Sequence, residues 1–161
     1  MPQTAVSGNR LRIMVDMSAT LIHHGHIRLL KKAAAVGDVV VALTSDDEVR
    51  TKKGYQPELS FAERKEVLEA VKYVTEDVES PWLITEDFVN RCRCDLLVHG
   101  ADNSNVIDPK RLVIFPRTEG VSSTELRERV IRAVQSMEKI GKHNSATDAL
   151  DDLKKTLQHG A

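Results

Sequence analysis

The chain has 161 residues, with 23 Lys plus Arg against 24 Asp plus Glu, a formal charge of −1, and 41% hydrophobic residues. This suits a globular domain with one real core and excludes collagen, global disorder and a disulfide scaffold. The near-neutral balance argues against nucleic-acid binding as the main task, and no apolar run approaches the roughly 18 residues of a membrane helix.

Residues 1–10 are small and polar and read as a flexible leader. They lack the basic start and long apolar stretch of a secretory signal. Arg12-Ile13-Met14-Val15 predicts the first strand, and residues 16–24 a loop. Gly25-His26 opens a helical pattern, with Ile27, Leu30 and Ala34 spaced by three and four. Gly37-Asp38 is expected to stop that helix. Val39 to Leu43 is continuously apolar, as in a strand buried on both faces of a parallel sheet. Residues 44–57 are polar and basic and are expected to form a mobile loop.

Ser60 with Glu63 three positions on is a capping box for a helix over residues 61–72. A further helix is predicted over residues 85–93, strands at Leu96-Leu97-Val98 and Leu112-Val113-Ile114-Phe115, and a last helix capped by Ser122 or Ser123 that runs past Val134 toward Ile140. Strands alternating with helices predict an α/β fold, a parallel sheet flanked by helices, in one domain over residues 11–140. Residues 141–161 read as a linker followed by an amphipathic segment with Leu150, Leu153 and Leu157 on one face. They form either a tail or a junction toward a further domain. Cys92 and Cys94 are too close together for a structural bridge. They read as core or near-core thiols in a reducing, cytoplasmic setting.

In such sheets ligands bind beyond the carboxyl ends of the strands. Two chemical clusters fall there. The first is Met17-Ser18-Ala19-Thr20-Leu21-Ile22-His23-His24-Gly25-His26. A helix N-terminus offers unpaired N–H groups to phosphate, Gly25 lets backbone come close to a ligand, and His23 and His26 can donate to charge that builds during phosphoryl transfer. The other readings are a structural histidine or a metal ligand. His23, His24 and His26 cannot easily face one ion together, so no protein-held metal is expected. The second cluster is Arg117-Thr118-Glu119-Gly120-Val121-Ser122-Ser123-Thr124. Gly120 permits a tight turn, the hydroxyls can cap a helix or hold phosphate, and Arg117 can fork onto phosphate or brace the loop.

Together, H-x-G-H and R-T-E-G-x-S-S-T resemble the cytidylyltransferases of the nucleotidyltransferase superfamily, with the glycerol-3-phosphate and ethanolamine-phosphate enzymes nearest. The resemblance covers residues 11–134 and includes Gly37-Asp38, Glu63-Arg64-Lys65 and Tyr73-Val74. It implies a Rossmann-like fold, a homodimer, and CTP used with Mg2+, an acceptor oxygen attacking the α-phosphorus as pyrophosphate leaves. It implies that His23 and His26 contact the triphosphate and that Met17, Ser18 and Ala19 wrap the phosphates. Lys52 and Arg50 are then basic residues of a mobile loop, and Arg64 lies near the phosphates and acceptor. His99, Gly100 and Asp102 lie near the nucleoside, and Arg117, Thr118, Gly120, Ser122 and Ser123 form the second signature. Trp82 is either packing or an acceptor contact.

Two departures stand out. Met17-Ser18-Ala19-Thr20 replaces Gly-Thr-Phe-Asp, which removes a carboxylate near the histidines, and Ala101-Asp102-Asn103 replaces Asp-Asp-Trp. The string Met-Ser-Ala-x-Leu-Ile-His-x-Gly-His resembles modules fused to phosphoenolpyruvate mutase in phosphonate antibiotic pathways, such as the cytidylyltransferase domain of the fosfomycin pathway. That likeness implies a phosphonate acceptor, 2-hydroxyethylphosphonate. The alternatives are a phosphate monoester such as glycerol 3-phosphate or ethanolamine phosphate, an adenylyl transfer suggested by Ser-Ser-Thr-x-x-Arg at residues 122–127, and a non-catalytic nucleotide-binding regulatory domain.

Overall fold

The computed structural model describes residues 10–139. The expectations for residues 1–9 and for the segment 141–161 lie outside them. Five strands, β1 (Leu11–Met17), β2 (Gly37–Thr44), β3 (Glu76–Ser80), β4 (Leu96–Gly100) and β5 (Leu112–Phe115), form one sheet in the order β3-β2-β1-β4-β5. All four pairings are parallel. The helices are α1 (His24–Ala34), α2 (Asp46–Lys53), α3 (Phe61–Glu69), α4 (Glu86–Arg91) and α5 (Ser123–Lys139). The chain divides into two units at Ser123/Thr124. The sheet and α1 to α4 belong to the first.

Both faces of the sheet are covered, which explains the unbroken apolar run of β2. Val39, Val41 and Leu43 join Ile13, Val15 and Met17 under Leu30 and Ala33 of α1 and Leu68 of α3. Val40 and Ala42 face the other way, with Met14 and Leu97, against Phe88 and Val89 of α4. Alternate side chains of one strand thus enter two cores. The strand order switches between β1 and β4, leftward through β2 and β3 and rightward to β5, so the carboxyl ends of these two strands open the crevice in which doubly wound sheets place their ligands.

Several predicted elements need correction. Gly37-Asp38 does not stop α1 but begins β2. Gly37 pairs with Leu11, and a Cβ there would lie 2.1 Å from the Leu11 carbonyl oxygen, so only glycine fits. Residues 44–57 are not mainly loop. Ser45 caps α2 by accepting from Glu48 N–H, acidic residues fill the first turn, and Arg50, Lys52 and Lys53 fill the last. That arrangement suits the helix dipole. The capping box of Ser60 and Glu63 is present, but α3 ends at Glu69 rather than at residue 72. Strand β3 was not foreseen. Its sequence, Glu-Asp-Val-Glu-Ser, is polar because it is an edge strand. Two of its three acids are paired, Glu76 with Arg12 at 2.8 Å and Asp77 with Lys65 at 2.6 Å. Cys94 is buried and Cys92 half-buried, and burial pushes the Cys94 thiol up to about 11.

Candidate active site

The first cluster folds into the turn between β1 and α1. His23 is the N-cap of α1, and its Nδ1 accepts the Gly25 N–H at 3.1 Å. His26, at the third helical position, accepts the His23 N–H on its own Nδ1 at 3.2 Å. The two imidazoles therefore form a reciprocal capping box, with ring centroids 3.9 Å apart. With each Nδ1 accepting a backbone proton, the proton of each neutral ring sits on Nε2. Burial first, then the nearby His23 and Lys53 charges, pushes His26 down to about 3. His26 is thus a neutral donor across the physiological range.

Gly25 makes this geometry feasible. A Cβ on it would lie 2.9 Å from both Cε1 and Nδ1 of His23 and 3.2 Å from Cγ1 of Val121. The first turn of α1 is thereby packed against the second cluster. Ser123 Oγ donates to the Leu21 carbonyl at 3.3 Å, and Gly120 has the left-handed φ of 71° expected of its turn. The sheet edge thus brings the two clusters together.

The loop after β1 differs from its sequence-based reading. Met17 ends β1 and is buried rather than open to a ligand. The left-handed residue is Ala19, with φ 44°, and it too is buried. A non-glycine residue there carries strain of about 1–3 kcal/mol. Arg64 holds the strand ends beside it. Its side chain is fully buried. Nη1 donates to the carbonyls of Ser18 at 2.5 Å and Thr44 at 2.9 Å, Nη2 to Asp46 at 2.6 Å, and Nε to the Leu59 carbonyl at 3.2 Å. With its donors so engaged, Arg64 braces three loops and is not available as an acceptor contact.

Among the basic residues of α2, Arg50 pairs with Asp47 and donates to Gln56 at 3.2 Å. Lys52 is exposed. Lys53, not Lys52, is the lysine whose charge is felt at His26, and its Nζ lies 5.7 Å from the centre of the half-buried Trp82 ring. Trp82 N–H donates to Glu48 at 3.0 Å, so the segment after β3 is tied to α2.

On the other side of β1 lies a group that the sequence reading missed. Asp16, 9% exposed, faces His99 Nε2 at 3.3 Å and accepts from Asn105 Nδ2 at 2.9 Å, both on Oδ2. Its Oδ1 is buried and unpartnered. Burial alone would lower His99, but the hydrogen bond and charge of Asp16, with the Gly100 carbonyl, outweigh it and hold His99 above 6.5. Asp102 lies 4.0 Å from His99 Nδ1 and 3.7 Å from Arg117 Nη2, on an open surface. Only the pairing of β1 with β4 places Asp16 beside His99, so sequence spacing held no signal for it. Asp16→Asn is expected to bring the His99 pKa down, read by histidine NMR titration. An unmoved titration would show that Asp16 does not set it. Because the His99 pKa is raised, its stabilising contribution is full below 6.5 and is lost as pH rises through the folded-state value; the variant should lose that dependence.

The family model described as Cytidylyltransferase-like matches residues 18–129. The chain belongs to this family. An ethanolamine-phosphate cytidylyltransferase of Dictyostelium discoideum is 34% identical over 140 residues, which cover 80% of this chain and 39% of that protein. A glycerol-3-phosphate cytidylyltransferase of Bacillus subtilis is 34% identical over 115 residues, 68% of this chain and 89% of that one. This cytidylyltransferase-like chain therefore spans about two fifths of the ethanolamine-phosphate relative and most of the glycerol-3-phosphate one. In fold it is similar to a lipopolysaccharide core biosynthesis protein from Thermoplasma volcanium, with a TM-score of 0.56 at 20% identity over 67% of this chain and 96% of that one. Among the described residues no helix is long and apolar enough to cross a membrane.

Proposed function

We propose that the chain transfers a cytidylyl group from CTP to a small phosphate monoester. A phosphate oxygen of the acceptor attacks the α-phosphorus of CTP. The bond from that phosphorus to the bridging oxygen breaks, and pyrophosphate leaves with the electron pair. The observation that carries this reading is the pair of Nε2-protonated imidazoles at the start of α1. They join a helix N-terminus and the charge of Lys53, an arrangement that offers donors and positive charge to a triphosphate and stabilises the charge that develops as pyrophosphate departs. Lys53 takes the role expected of Lys52. Arg117 and Asp102, at the ends of β5 and β4, frame the nucleoside side. Mg2+ enters with CTP as part of the substrate. Among the described residues no group of three or more His, Cys, Asp or Glu is placed to hold a metal.

The phosphonate reading rests on the string at residues 17–26, which departs from the usual pattern at residues 17–20; a junction at residues 141–161 toward a further domain would suit it. The loop residues Met17, Ala19 and Thr20 are buried structural positions, and residues 141–161 lie outside the described chain. The relatives are named for ethanolamine phosphate and glycerol 3-phosphate, which favours a phosphate ester.

Phosphorus NMR with Mg2+, CTP and separate acceptors tests this. Ethanolamine phosphate or glycerol 3-phosphate is expected to yield a new phosphoanhydride signal and pyrophosphate. Product only with 2-hydroxyethylphosphonate would restore the phosphonate reading. Product only with ATP in place of CTP would make the chain an adenylyltransferase, and bound CTP without turnover on any acceptor would make it a regulatory nucleotide binder.

A further inference from the structure

The turn after β4 is held by a buried amide that belongs to neither chemical cluster. Asn105 is 7% exposed. Asn103 clasps its backbone on both sides: Oδ1 accepts the Asn105 N–H at 3.1 Å, and Nδ2 donates to the Asn105 carbonyl at 3.2 Å. The Asn105 side chain reaches two other segments. Its Oδ1 accepts the Ile84 N–H at 2.8 Å, beyond β3, and its Nδ2 donates to Asp16 Oδ2 at 2.9 Å, in β1. A backbone N–H can only donate, so the Ile84 bond fixes which way the amide points. Nδ2 is thereby aimed at Asp16, whose Oδ2 is left to act as an acceptor.

The same counting of donors continues into His99. Its Nε2 lies 3.3 Å from Asp16 Oδ2, and its Nδ1 lies 2.9 Å from the Gly100 carbonyl oxygen. Both partners accept and neither donates, so each ring nitrogen carries a proton and His99 is an imidazolium. Among the described residues the charged groups facing it are Asp16 from β1 and Asp102 from the following turn, with Arg117 beyond Asp102. Two carboxylates favour the charged ring, and the raised pKa of His99 agrees. A Cβ on Gly100 would lie 3.1 Å from Asp102 Oδ1, so Asp102 is folded closely over the turn whose carbonyl His99 holds. We propose that Asn105 is a positioning residue for the nucleotide: by aiming Asp16 at His99 it keeps both ring nitrogens protonated, and these fix the Gly100 carbonyl and the turn that carries Asp102. Asn105 touches no substrate. Its effect on CTP rests on the cytidylyl-transfer reading, whereas its effect on the His99 ring does not.

Nitrogen-15 NMR of the His99 ring in the full chain tests the protonation directly. Both ring nitrogens are expected to carry protons at pH 7, where an ordinary histidine is mostly neutral. Asn105→Ala should bring the His99 pKa down, as Asp16→Asn does. The double variant should bring it no lower than Asp16→Asn alone, because Asn105 acts through Asp16. In kinetics, Asn105→Ala should raise the KM for CTP about fivefold with little change in kcat, the pattern of lost ground-state binding. A single protonated ring nitrogen in the unaltered chain at pH 7 would overturn the proposal, even where the alanine variant does not fold. So would an Asn105→Ala chain that melts lower with the His99 titration and the KM for CTP unmoved, since the amide would then be structural only, and so would additive shifts in the double variant. If the unaltered chain turns over no CTP with any acceptor, the transfer reading fails, and the His99 ring still decides this inference.

Discussion

His26→Ala is expected to slow turnover about 100-fold or more while the sheet stays folded, the loss typical of a preorganised donor to developing charge. The substitution also removes a cap, because His26 Nδ1 accepts the His23 N–H, and that loss costs about 1 kcal/mol. His26→Gln separates the two effects. Glutamine at the third helical position is a normal capping-box residue, so this variant should keep the stability of the parent and still lose most of the turnover. Steady-state kinetics beside thermal melts measure both. Unchanged turnover in the alanine variant would remove His26 from the chemistry. The loss should also be constant across neutral pH, because His26, pushed down to about 3, does not change charge there. Its folded-state pKa lies below the unfolded value of 6.5, so the unfolded chain binds the proton preferentially. Stability contributed at this site is full above 6.5 and falls as pH drops toward about 3.

Arg64→Ala is expected to destabilise the protein by about 3–5 kcal/mol, since it strands the half-buried Asp46 carboxylate and several carbonyls. For a domain of this size that is a fall in melting temperature of about 10 °C. The carbonyls of Ser18, Thr44 and Leu59 and the carboxyl of Asp46 all lose their donor together. Asp46 also accepts the Phe61 N–H at 2.9 Å, so the start of α3 should loosen with it. Arg64→Lys keeps the charge but cannot fork to so many acceptors, and should recover less than half of the loss. A melt identical to the parent, with only a raised KM for the acceptor, would return Arg64 to the role of an acceptor ligand.

The contrast between these two residues shows where sequence reading succeeds and where it stops. His23 and His26 are three apart, and Gly25 sits between them, so their meeting is local and legible. Gly37 was noticed but misread. A glycine at the end of a helical pattern usually marks a stop, and the close approach of the Leu11 backbone that requires it comes from a strand 26 positions away. Strand β3 was invisible because an edge strand needs no apolar alternation when Glu76 and Asp77 are paired to Arg12 and Lys65. Helix α2 was hidden by its charge. It buries only Val49 among its side chains, and its order comes from Ser45, the acidic first turn and the basic last turn.

The sequence by itself determined the alternation of strands and helices, the continuously apolar central strand, the capping box of α3 and the two clusters at helix starts, because each is written in neighbours a few residues apart. Tertiary structure alone decided the rest. Parallel pairing of β1 with β4 set Asp16 against His99, the meeting of three loops enclosed the Arg64 guanidinium, and the packing of α2 gave Lys53 rather than Lys52 its influence on His26. These are contacts between residues far apart in the chain, and no local spacing encodes them. They follow from which strand ends the sheet brings to one edge and from which charged groups must find partners once water has been excluded there.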